Sequence, residues 1–260
     1  MHRPLRSALP ALALALCASC AAPTIAVEPR LVTLKLDGEV KATSGASTAS
    51  NSLDRVGLTD DQGAFGARVD AKWLSPHLTV SGFQSSHGGN GVLEADVSQG
   101  GITITAGTKV ASDLDLGILN SLVTFDLAPT DALEAGLGLG VSLFDVDVGI
   151  RDKTTGDDVS SAEAFGLPVL AGRLGGKLGP VELEALLSGL SAKVDTDSVG
   201  FHDFDLSARM RVLGKGDHAT GMVVIGYRDI ELDLNYDDSG TAVDSTIGLS
   251  GPYVGLRLRF

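Results

Sequence analysis

The sequence predicts an all-β protein: a closed antiparallel up-and-down transmembrane β-barrel of about ten strands, with eight or twelve as alternatives. Three observations lead there. Apolar and polar residues alternate with period two along most of the 260 residues, the pattern of strands with two unlike faces. Long and short connections alternate along the chain. The last ten residues, GPYVGLRLRF, keep the alternation up to the final Phe260, where a soluble domain more often leaves a polar, frayed tail.

Composition narrows the reading. The formal net charge is −13, so a phosphate backbone would be repelled and nucleic acid is excluded as a partner. No apolar run reaches the length a membrane-spanning helix needs, about 18 residues or more.

Residues 1–20 read as an export signal. Arg3 and Arg6 precede the apolar stretch ALPALALALCASC, which is too short for a spanning helix. CASC resembles a lipoprotein cleavage box, which makes Cys20 a candidate lipidation site, although Cys17 stands where Leu is usual. Cleavage near Ala22 or Ala26 is the alternative. Both cysteines lie in this segment, so no disulfide is expected in the mature chain. Residues 21–30 read as a short linker and 31–260 as the barrel.

Ten strands are expected. The first, 31–42, sets Val32, Leu34, Leu36 and Val40 against Lys35, Asp37, Glu39 and Lys41. The second, 64–74, sets Phe65, Ala67, Val69 and Trp73 against Arg68, Asp70 and Lys72. Then come 77–86, 102–127 (too long for one span), 132–150, 163–178, 181–194, 201–213, 219–236 and 242–260. Within 132–150 the apolar residues move from odd to even positions after Leu143, and a β-bulge is expected there. Similar slips are expected near Ile118 and Gly226–Arg228. The short connections carry turn residues, such as Ser75–Pro76 and Gly179–Pro180, and the long ones are polar.

Alternation alone does not say which face is inside. A soluble barrel would bury its apolar face, and a lipid-anchored soluble barrel binding a small ligand is one alternative. Export and alternating loop lengths favour the membrane. The ending adds a resemblance. Val254, Leu256, Leu258 and Phe260 resemble the C-terminal assembly signal of Gram-negative outer-membrane barrels. In general pattern the chain resembles small OmpA-like or porin-like barrels. The resemblance implies outer-membrane localisation, contact with outer-membrane lipid and lipopolysaccharide, and the barrel-assembly machinery as partner during insertion.

With Phe260 at the periplasmic rim, charged residues sort into two lumenal layers. Glu134, Arg173, Lys177, Glu182, Glu184, Arg209, Arg211, Arg257 and Arg259 are expected to form a salt-bridged lower lumen, with Lys72 among them. Asp113, Asp115, Asp145, Asp147, Asp203, Asp205, Asp229, Glu231 and Asp233 are expected to line an acidic vestibule at the outer mouth. The vestibule reads as solvated, with surface Ca²⁺ or Mg²⁺ as the alternative. No metal-ligand spacing is visible, so neither a metal nor a cofactor is assigned.

Two sets of residues bear on catalysis. DLD (Asp113–Asp115) and HDFD (His202–Asp205) resemble halves of the carboxylate and Asp–His set of ten-stranded surface proteases, but His202 shares the lipid-facing parity of Phe204. Ser85 and His87 share a face as in lipid A deacylases, without an acid partner. No catalytic residue is assigned. The expected function is structural, or a narrow cation-preferring channel, with a rim enzyme as alternative.

Overall fold

The computed structural model describes residues 23–44, 47–58, 62–99, 101–127, 133–194, 197–214, 219–238 and 241–260. The expected signal segment and Cys20 lie outside them. Thirteen strands follow one another: β1 (Thr24–Ser44), β2 (Ser47–Ser52), β3 (Gln62–Lys72), β4 (Pro76–Val92), β5 (Val97–Gln99), β6 (Ile102–Ile104), β7 (Lys109–Asp126), β8 (Leu133–Asp152), β9 (Asp158–Leu178), β10 (Val181–Val194), β11 (Asp197–Leu213), β12 (Thr220–Asp238) and β13 (Thr241–Arg259). Ten of them, β1, β3, β4 and β7 to β13, pair with their neighbours antiparallel, and β13 returns to β1. The fold is a closed ten-stranded antiparallel barrel. At the seam the chain end is tied down: Phe260 N–H donates to the Ile25 carbonyl at 2.8 Å, and Ile25 N–H donates to that of Phe260.

Three boundaries differ from expectation. Residues 24–30, expected as linker, are the first part of β1, because Val27 and Leu31 continue the outward apolar face below the expected start. The overlong strand 102–127 is β7 plus one arm of the small β5–β6 hairpin. Several upper loops are shorter than expected because the strands run on; β9 has 21 residues.

That length is informative, since crossing hydrocarbon takes only about 9–11 tilted residues. Strands β1, β7, β8 and β12 change character along their length instead. On the outer wall the lower positions are apolar and exposed: Ile25, Val27 and Leu31 on β1, Phe125 and Leu119 on β7, Leu137 to Leu143 on β8, Val223 to Tyr227 on β12. Higher up the same wall carries Lys35 and Asp37, Asp115 and Asp113, Asp145 and Asp147, and Asp229, Glu231 and Asp233. The inner face does the reverse. Buried charges such as Glu28, Arg30, Arg209 and Arg257 lie low, and buried Leu34, Leu36, Leu114, Leu116, Phe144, Ile230 and Leu249 lie high.

The expected bulges are therefore absent. The β7–β8 and β8–β9 registers run unbroken past Leu143 and Ile118, as does β12–β13 past Gly226–Arg228. The register shift lies between Arg211 and Leu213 instead. Side chains keep their faces; the surroundings of those faces change.

The long-loop end is capped. Leu53, Val56 and Leu58 follow β2 and are buried against the upper core. Their backbone packs directly on β4, where a Cβ at Gly89 would sit 1.9 Å from the Gly57 carbonyl oxygen. Asn51 Oδ1 accepts from Glu94 N–H at 2.9 Å and Ala95 N–H at 3.0 Å, which joins this cap to the next loop, where Leu93 and Ile104 are also buried. The β9–β10 pairing ends at Leu170–Gly189, just below Pro168, which has no N–H to donate.

Candidate functional site

The lower lumen is filled by interlocked charges. Glu28, fully buried on β1, meets three guanidinium groups: Arg30 at 2.6 Å, Arg257 at 2.9 Å and Arg209 at 3.2 Å. Arg68, 1% exposed, binds Asp70 at 2.9 Å and Glu184 at 2.6 Å. Arg209 shares Glu184 at 2.9 Å, and Arg257 shares Asp70 at 2.6 Å. Above them Arg30 reaches Asp205 at 2.6 Å, and Arg228 grips Asp203 at 2.7 Å. Asn120 also donates to Asp203, and Tyr253 hydroxyl donates to Asp205 at 2.5 Å. Towards the short-turn mouth, Arg173 bridges Asp126 at 2.5 Å and Glu134 at 2.9 Å, Lys72 binds Glu134 at 2.7 Å, and Arg259 takes Glu182 at 2.5 Å.

Alternation explains why these residues meet. Every second residue of a strand points inward, and antiparallel pairing brings the inward sets of neighbouring strands to one level. Glu182 lies opposite Arg209, and Ala26 opposite Arg259. Glu28, Asp70, Glu184 and Asp205 each have more than one cation, and each of Arg30, Arg68, Arg209 and Arg257 more than one carboxylate, the arrangement low dielectric demands. Two guanidiniums also lie over rings, Arg30 over Tyr253 at 4.4 Å and Arg228 over Phe83 at 5.0 Å.

Of the residues expected in the lower lumen, Glu134, Arg173, Glu182, Glu184, Arg209, Arg257 and Arg259 sit in this network. Lys177 lies exposed at the mouth of a cavity of about 260 Å³ that opens at the short-turn end. Arg211 is exposed beside the register shift and away from the ion pairs. Sequence reasoning missed Glu28, Arg30, Asp126 and Arg228 as lumenal charges, and left Arg68 and Asp70 unassigned although they alternate with Lys72.

The acidic vestibule does not form. Asp203 and Asp205 point inward and are buried in ion pairs. Asp113, Asp115, Asp145, Asp147, Asp229, Glu231 and Asp233 stand on the outer wall instead. They keep the outward parity of the apolar residues below them, and the inward positions at their height belong to Leu114, Leu116, Val146 and Ile230. Above the charge network the lumen is closed by that apolar core. Phe144 stacks on Phe165 at 4.9 Å and meets Phe201 edge-on at 5.1 Å.

The motifs weighed for catalysis do not assemble. Asp113 and Asp115 face outward on β7. His202 is half-buried with outward parity on β11, four strands further round the wall. Ser85 and His87 point into the upper core and are buried opposite Leu116 and Leu114. Among the described residues no three His, Cys, Asp or Glu side chains converge as a metal-ligand set.

No protein-family model matches the chain, and no curated protein does. Solved structures do. The outer membrane protease OmpT from Escherichia coli aligns over 91% of this chain and 97% of its own, with a TM-score of 0.57 and 12% identity. OprG from Pseudomonas aeruginosa aligns over 92% and 96%, with a TM-score of 0.38 and 11% identity. The toluene transporter TodX from P. putida aligns over 92% and 91%, at 0.32 and 12%. What the OmpT likeness establishes is shared architecture, a closed antiparallel β-barrel.

Proposed function

We propose that this chain is a Gram-negative outer-membrane β-barrel with a sealed lumen, a structural wall protein that neither conducts nor catalyses. One observation carries the reading: the barrel turns inside out at mid-height. Its lower half has an apolar exterior and a charged interior, as lipid on the outside requires. Its upper half has a charged exterior and an apolar interior, as water on the outside requires. Soluble barrels bury apolar side chains along their whole length, which sets this chain apart from a lipid-anchored soluble barrel. The terminal strand, ending on exposed Phe260, suits recognition by barrel-assembly machinery.

The lumen is blocked in series by the ion-pair network, the apolar core and the loop cap. A cation-preferring channel would need carboxylates along its path, and most of the expected ones stand outside.

The test has two arms. Refolded into lipid vesicles, the protein should give a heat-modifiable band on unheated SDS gels; recovery in the aqueous phase without detergent would refute membrane insertion. In planar bilayers it should show no stepwise current. Arg209→Ala with Arg257→Ala should stay silent too, because the apolar core seals independently of the charges. Discrete conductance steps from the wild type would refute the sealed lumen.

A further inference from the structure

The geometry points to a binding site for one inorganic phosphate ion in the lumenal cavity of about 260 Å³ at the short-turn end. The site does not depend on the membrane reading, which decides only that its mouth faces the periplasm. The volume lies below the about 300–1,000 Å³ of pockets for drug-sized ligands, so the occupant is an ion or a very small molecule. Charge sets its sign. Among the described residues Lys72, Lys177 and Arg259 stand near the mouth, and Arg173, Arg209 and Arg257 line the buried wall. Four carboxylates oppose these six cations: Asp70, Glu134, Glu182 and Glu184. Arg68, Glu28 and Asp126 pair with the wall from behind. Seven cations against six carboxylates still leave one positive charge over, which favours an anion.

Three features supply room and unused donors. The inward positions of β9 run Arg173, Gly175, Lys177, and Gly175 is the register partner of both Glu134 and Glu184. A Cβ at Gly175 would meet only Glu134 Cβ and the Leu183 carbonyl oxygen, each at 3.8 Å, so the missing side chain leaves the cavity open. Lys177 lies opposite Glu182, but both Glu182 oxygens go to Arg259, at 3.2 and 2.5 Å. Lys177 holds no salt bridge among the described residues. His77 Nδ1, Arg173 Nε and Arg257 Nε have no hydrogen-bond partner among the described residues. All three side chains line the cavity and are 4–5% exposed. A buried polar atom left unpaired is costly. The two Arg nitrogens are donors, His77 Nδ1 can donate or accept, and an oxyanion in the cavity offers the missing partners.

The mixed lining selects among oxyanions. Guanidinium forks donate to the unprotonated oxygens of a phosphate. The carboxylates of Glu134 and Glu182 keep lone pairs beyond those their ion pairs use, and these accept from a P–OH. Inorganic phosphate keeps at least one proton at neutral pH. Sulfate has none, and a phosphomonoester loses its last proton at about pH 6. Either would set a bare oxygen against a carboxylate. The apolar core above the charge network closes the path onward, so the ion is held and not passed.

The test is equilibrium dialysis of radiolabelled phosphate against the full chain refolded in detergent micelles, at about pH 7.5, where a monoester carries no proton. The wild type should bind one phosphate per chain, with sulfate and methyl phosphate competing about tenfold more weakly or worse. Gly175→Val, which fills the cavity without changing charge, should abolish saturable binding. Lys177→Gln, which breaks no salt bridge, should weaken it about fivefold or more. No saturable uptake at millimolar phosphate, sulfate or methyl phosphate held as tightly as phosphate, or an affinity unchanged in both variants would each overturn the assignment. Heat-modifiable bands for both variants separate loss of the site from failure to fold. A chain that binds phosphate in aqueous solution without detergent would refute membrane insertion and leave the site standing.

Discussion

Replacing Glu184 with Gln probes whether the lower lumen is dry. Glu184 is 6% exposed, and its Oε1 takes Arg68 at 2.6 Å and Arg209 at 2.9 Å. Glutamine keeps the shape and one acceptor oxygen but removes the charge. Two ion-pair hydrogen bonds, each contributing about 1.5–3 kcal/mol, become weaker bonds from charged donors to a neutral acceptor. Arg68 keeps Asp70 and Arg209 keeps Glu28, so neither cation is stranded, and the loss should lie near the lower end of the about 3–5 kcal/mol for breaking a buried pair. Urea unfolding from lipid vesicles, followed by the single tryptophan, Trp73, should show a midpoint lower by roughly 1–3 M at ordinary urea slopes. A double-mutant cycle with Arg209→Gln should give a coupling above about 1 kcal/mol. A loss under about 1 kcal/mol would mean that water screens these charges as at a surface, and the argument from a dry, interlocked network would fail.

Other perturbations separate the two halves of the barrel. Leu116→Asp puts an unpaired charge into the upper core and should cost more than about 3 kcal/mol, while Asp115→Asn, one residue away on the outer wall, should stay within about 0.5 kcal/mol; equal effects would refute the parity of β7. Phe260→Asp should lower the amount of folded barrel in the outer membrane, and normal levels would refute a role for the terminal residue. Thr154 and Thr155 N–H groups donate to Asp152 Oδ1 at 2.6 and 3.2 Å, and the Thr154 bond foremost holds that carboxyl below the usual Asp range. A lowered folded value stabilises the turn above the ordinary Asp pKa of about 3.9, and the contribution is lost as pH falls through the folded value. The protection factor of the Thr154 amide should therefore hold at neutral pH and fall only on strong acidification; a fall already near pH 6 would refute the assignment.

Strand number and order were legible because alternation is local and its period survives any environment. The identity of the lumenal charges was legible only in part. Arg173, Glu184 and Arg209 stand out as charges among apolar neighbours on strands whose lower halves were read correctly. Glu28 and Arg30 were hidden in a stretch read as linker, although Pro29 between them faces outward on β1 and leaves the alternation intact. Arg228 was hidden because the phase change beside it was read as a bulge, which gives the residues beyond it the opposite face.

That misreading has a physical cause, and the strands together show how to avoid it. A bulge inserts a residue into one strand and has no reason to recur at the same height in its neighbours. A change of surroundings must strike every strand at one level. The outer wall passes from Leu31 to Thr33 on β1, from Leu119 to Gly117 on β7, from Leu143 to Asp145 on β8 and from Tyr227 to Asp229 on β12. Gly117 and Asp145 are direct register partners, as are Leu119 and Leu143. The inner face switches in the opposite sense nearby, from Arg30 to Val32 and from Arg228 to Ile230. A phase change repeated from strand to strand at one level, with the register unbroken, is therefore the sequence mark of a barrel wall whose surroundings change. Read that way, the same alternation that predicts the strands also assigns Asp145, Asp147, Asp229 and Glu231 to the outside.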